Sequence, residues 1–84
     1  MTAEWKTVAD DITVYIIRKK RHDEASVVAL AKDPVRLFNE WAQARGYAVQ
    51  SAELAMWCVD YLQDLVKTPL PRLIKAAEID GLHI

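Results

Sequence analysis

The stretch from Asp33 to Gly46 spells out both ends of a helix, and this constrains the fold more than anything else in the chain. Asp33 can accept hydrogen bonds from the N–H groups that a first helical turn leaves without partners. Pro34 suits the first helical position, where its missing N–H costs nothing. Gly46 can take the left-handed conformation that closes a last turn. Between them Val35, Phe38, Trp41 and Ala42 fall on one stripe, widened by Leu37, while Arg36, Glu40 and Gln43 face away. A second strong helix is predicted over 52–67, capped by Ser51. Leu54, Ala55, Cys58, Tyr61, Leu62, Leu65 and Val66 share one broad face, and Glu53, Asp60, Asp64 and Lys67 share the other.

These two helices are expected to form the central pair of an all-α fold, a compact bundle of four or five short helices in a single domain over 1–84. A last helix is predicted after Thr68, which can cap it, with Pro69 in its first position and Pro71 still in the turn that tolerates proline. Leu70, Leu73, Ile74 and Ala77 form its apolar stripe, Gly81 closes it, and Leu82 folds back on the last turn. Asp23 is the expected cap of a short helix from Glu24 to Lys32, with Val27, Val28, Leu30 and Ala31 as its apolar surface.

The N-terminal segment reads two ways. Trp5, Val8, Ala9, Ile12, Tyr15 and Ile16 make a helical stripe. The run 12–17 is also rich in β-branched residues that alternate like a strand. A strand needs a partner, and no second strand-like segment exists in the chain. Helix from Glu4 to about Lys20 is therefore the expectation, with a strand over 11–17 that pairs across a homodimer as the rival.

Composition narrows the function. At 84 residues, 52% of them hydrophobic, the chain can build one core without disulfides. Cys58 is the only cysteine, so no internal bridge can form, which fits a reducing, cytoplasmic setting. No apolar run approaches the ~20 residues of a membrane span, and the N-terminus lacks the basic-then-apolar order of a signal peptide. Net charge is −1. Residues 1–46 carry eight basic and seven acidic groups, and 47–84 carry three and five, so no broad field steers a polyanion or a membrane to the surface.

The inventory for catalysis is poor. His22 lies in a basic run and His83 next to the last residue, neither beside a group that would orient a base. Cys58 falls on an apolar helix face, where a thiol is a packing group. Two glycines, at 46 and 81, cannot form a phosphate-cradling loop. One cysteine and two distant histidines give no zinc spacing, and no acidic loop resembles a calcium site. No catalytic residue, cofactor or metal site is expected.

Two surface features remain. Arg18, Lys19, Lys20 and Arg21, followed by His22, are the candidate contacts to nucleic-acid phosphates. On a helix about three of them could face one backbone, but Asp23 and Glu24 follow at once and no helix carries a base-reading pattern. The second feature is apolar. Met56 points from the polar face of its helix among Glu53, Asp60 and Asp64, with Trp57 on the flank. Methionine and aromatics framed by charge are typical of protein-binding patches. The competing reading has another helix, such as the N-terminal one, covering Trp57. The first expectation is a small non-catalytic protein that binds a protein partner through this face. The second is a nucleic-acid-binding regulator using 18–22.

Residues 33–54 add a resemblance. An apolar helix ends in Ala42-x-x-x-Gly46-Tyr47, followed by Val49, Ser51 and Glu53-Leu54. This segment resembles the nitrogen-fixation-associated leader-peptide family of ribosomally made, enzymatically modified peptides. The resemblance implies a helical handle bound by a modifying enzyme, with no catalytic role of its own. Two further helices follow it here, and no double-glycine-type cleavage site or Cys/Ser/Thr-rich core peptide does.

Overall fold

The computed structural model describes residues 3–49 and 51–84, with side chains from Trp5 onward. Four helices follow one another: α1 (Ala3–Leu30), α2 (Pro34–Arg45), α3 (Ala52–Lys67) and α4 (Leu70–Ile79). No strand occurs among the described residues, so 11–17 is helix. No helix is long and apolar enough to cross a membrane, among the described residues.

The expected break at Asp23 is present inside α1. Its backbone is extended there (φ −159°, ψ 90°), and the helix resumes at once. The Asp23 carboxylate accepts from the Ser26 N–H at 3.2 Å and from the Ser26 hydroxyl, which caps the resumed turn. These hydrogen bonds from Ser26 hold the carboxyl below its ordinary value. The cap therefore contributes fully above pH 3.8 and is lost as pH falls through the lower folded value.

The ends of α2 are built as the sequence reads. Asp33 accepts from the Arg36 N–H at 3.3 Å. Gly46 sits at φ +68°, and the Tyr47 N–H turns back to the Ala42 carbonyl at 2.9 Å. A β-carbon at Gly46 would meet nothing within 4 Å, so only the backbone resists one. Gly46→Ala is expected to lower stability by about 1 kcal/mol, read as a shift of the urea midpoint with unchanged slope.

Ser51 caps α3 by accepting from the Leu54 N–H at 3.3 Å. The start of α4 departs from expectation by one residue. Pro69, not Thr68, is the N-cap, and its carbonyl accepts from Arg72 and Leu73. The Thr68 hydroxyl is engaged backward, donating to the Asp64 carbonyl at 2.8 Å. Pro71 falls in the first turn, where no N–H is needed. Gly81, at φ +75°, closes α4, and the Leu82 N–H reaches the Ala77 carbonyl.

The centre of the bundle is α1. It packs against α2, α3 and α4, while α3 packs against α1 and α2. The expectation of a central α2–α3 pair is corrected accordingly: those helices do pack together, but on α1. The physical reason lies in 12–17. Ile12, Ile16 and Ile17 are all fully buried, and Thr13 is buried beside them. A helix flanked on several sides must be apolar on several sides. The core is completed by Leu37 and Trp41 of α2, Cys58, Leu62, Leu65 and Val66 of α3, and Leu73 and Ala77 of α4. Val35 and Val28, expected on apolar stripes, are exposed because they lie on the outer sides of their turns. The radius of gyration, 12.1 Å, matches the value of about 12 Å for one domain of this length.

Candidate functional site

The basic run is divided by the fold. The helical turn of α1 that carries it points Lys20 inward, where the side chain is 1% exposed. Its Nζ donates to the carbonyls of Val66 and Thr68 at 3.0 and 2.6 Å. These groups sit at the end of α3, where carbonyls lack helical partners and the helix dipole favours a cation. Glu24, one turn on, approaches Nζ at 3.4 Å. Lys20 is thus a structural cap and is unavailable to phosphate, which corrects its assignment as a nucleic-acid contact. Lys19 lies toward α2 and donates to Glu40 at 2.7 Å. That hydrogen bond holds its ammonium above the ordinary value. Arg18, Arg21 and His22 are exposed.

A groove between α1 and α2 lies beside this run, with Val14, Tyr15 and Ala44 as its apolar floor. Arg45 donates to Asp11 across it at 2.7 Å, and this pairing raises the guanidinium's affinity for its proton. Burial raises the Tyr15 hydroxyl, opposed by the charge of Lys19. The cations of the groove are therefore largely matched by Asp11 and Glu40.

The outer face of α3 is different. Glu53, Met56, Asp60 and Asp64 recur at intervals of three and four, which places them on one stripe. All four are exposed, and Met56 is 70% accessible. Among the described residues none of the three carboxylates enters an ion pair. Lys67 ends the same stripe at the C-terminus of the helix, where its charge suits the dipole.

Trp57 does not join that stripe as an open contact. It is half-buried, edge-on to Trp5 at 4.8 Å and stacked on Tyr61 at 5.0 Å. The Tyr61 hydroxyl meets Thr13 Oγ1 at 3.0 Å, and Thr13 also donates to the Ala9 carbonyl. Trp5, Trp57 and Tyr61 thus line the α1–α3 seam. The N-terminal helix covers Trp57, and the patch reduces to Met56 and the three carboxylates.

Cys58 is fully buried on α3, and burial pushes its thiol up to about 11. At neutral pH it is protonated and shielded. Modification of the native protein by a water-soluble disulfide reagent is expected to be slow and to accelerate to the free-thiol rate in denaturant. His83 is exposed like His22. Among the described residues no group of three or more His, Cys, Asp or Glu side chains could hold a metal ion.

Comparison with protein-family models, with curated proteins and with solved structures finds no match to this chain.

Proposed function

We propose that this is a small non-catalytic helical protein that binds another protein, as adaptor, inhibitor or regulator, through the outer face of α3. The observation that carries the reading is an exposed methionine framed by Glu53, Asp60 and Asp64, carboxylates with no ion-pair partner among the described residues. From Glu53 to Asp64 the stripe extends about 16 Å. A partner segment that fits it carries Lys or Arg on one side and an apolar side chain to meet Met56. The charges serve encounter rate and selectivity, and the flexible thioether adapts to the apolar contact. A buried lone thiol suits the cytoplasm, to which we assign the protein. The handle role implied for 33–54 is one form of the same activity, with a modifying enzyme as partner and the α2–α3 joint as an added contact.

The test starts with the partner captured from the native host and purified. Met56→Ala combined with Asp60→Lys is expected to raise its dissociation constant at least tenfold, about 1.4 kcal/mol, and to flatten the salt dependence of binding. Arg18→Ala with Arg21→Ala is expected to leave it unchanged. The opposite pattern would move the interface to the basic run.

A further inference from the structure

The groove between α1 and α2 is separate from the outer face of α3, and among the described residues no side chain of α3 lines it. Its volume, about 620 Å³, lies within the usual range of small-molecule sites, roughly 300–1,000 Å³. Asp11, Val14, Tyr15, Arg18 and His22 of α1 line it at helical spacings of three and four, so they form one stripe along the helix. The stripe is graded. An ion pair closes one end, where Arg45 holds Asp11 at 2.7 Å. An apolar turn follows, made by Val14 and Tyr15 with Ala44 of α2. Two exposed basic side chains, Arg18 and His22, end it.

Those two are the groups left over when the pairings of the groove are counted. Among the described residues neither enters an ion pair. The nearby carboxylates are engaged within the fold: Asp11 by Arg45, Glu40 by Lys19, and Asp23, next to His22 in sequence, by Ser26. One helical turn, about 6 Å, separates Val14 from Arg18 and Arg18 from His22. A guanidinium presents its donors in a fork that fits carboxylate or phosphate. A carboxylate offers two oxygens and one charge, whereas a phosphate monoester offers three oxygens and nearly two charges, enough to engage both side chains. We propose that the groove binds a small phosphate monoester, its phosphate held by Arg18 and His22 and its apolar or aromatic body laid against Val14, Tyr15 and Ala44. The Asp11–Arg45 pair leaves no free cation at the far end, which selects a single phosphate over a polyphosphate.

Phenyl phosphate is the probe, with inorganic phosphate and benzyl alcohol standing for its head and its body alone. Titrated at low salt into the ¹⁵N-labelled full chain, phenyl phosphate is expected to shift the amide signals of 14–22 and of Ala44 saturably. Its dissociation constant is expected to lie at least tenfold below that of either half. Arg18→Gln is expected to weaken it about tenfold, with circular dichroism unchanged because Arg18 is exposed. Arg21→Gln, in the same basic run but outside the groove, is expected to leave it unchanged. Inorganic phosphate binding as tightly as phenyl phosphate, equal losses from Arg18→Gln and Arg21→Gln, or shifts confined to residues outside the groove would overturn the proposal. A short oligothymidylate that binds more tightly through both Arg18 and Arg21 would assign these cations to a nucleic-acid strand and overturn it as well.

Discussion

Replacing Trp41 with alanine is expected to cost about 3–5 kcal/mol, a large part of the roughly 4–13 kcal/mol that a domain of this length holds in total. The thermal midpoint should fall by roughly 12 °C or more. Trp41 is the largest fully buried side chain of the protein. It sits beside Phe38 at 5.9 Å and under Tyr47 at 5.4 Å. The left-handed turn at Gly46 carries Tyr47 back onto it, so cap and core support each other. Truncation would open a cavity on the face of α2 that meets the rest of the bundle, where walls held by three helices cannot fully collapse. Val35→Ala on the same helix is the control. Val35 is exposed, so its loss should change stability by no more than about 0.5 kcal/mol.

Lys20→Met should lower stability by about 2 kcal/mol despite preserving most of the side-chain volume. The ammonium donates to two carbonyls at the end of α3, and hydrogen bonds to a charged group are each worth about 1.5–3 kcal/mol. Part of that is offset because methionine also removes the desolvation cost of a buried cation. The carbonyls of Val66 and Thr68 would lose this donor at the joint between α3 and α4. Hydrogen exchange should therefore accelerate first in the last turn of α3 and the first turn of α4. Glu24→Gln should matter little, because Glu24 is half-exposed and its contact is 3.4 Å long. A neutral Lys20→Met with unchanged exchange at that joint would show that the cap contributes nothing.

What the sequence discloses depends on whether the signal is local. Helix ends are local, so Asp33, Gly46, Ser51 and the break at Asp23 could be read directly, and the structure builds each of them. The misplaced cap at Thr68 has a local cause too: its hydroxyl had two available partners, and the carbonyl of Asp64 won over the N–H groups ahead. The role of α1 is not local. Ile12 to Ile17 looks strand-like because it is apolar over a broad face that the helices packed on α1 bury, a fact about neighbours that no window of sequence contains.

The same divide runs through the candidate site. Glu53, Met56, Asp60 and Asp64 share an outward face by helical spacing alone, and spacing could be counted. Trp57 lay at the edge of that face, and only the position of Trp5 decides that it packs inward. Lys20 sat inside a run of like charges that reads as solvated. Its burial follows from where the end of α3 arrives, 46 residues later.

The proposed use of α3 is tested most directly by the ε-methyl signal of Met56, which is easily told from that of Met1, the only other methionine. On adding the captured partner to ¹³C-methyl-labelled protein, the Met56 signal is expected to shift or broaden in proportion to the bound fraction, with the side-chain signals of Arg18 and Arg21 unmoved. A Met56 methyl that stays in place at saturation, while the partner perturbs α1 or α2 instead, would contradict the account.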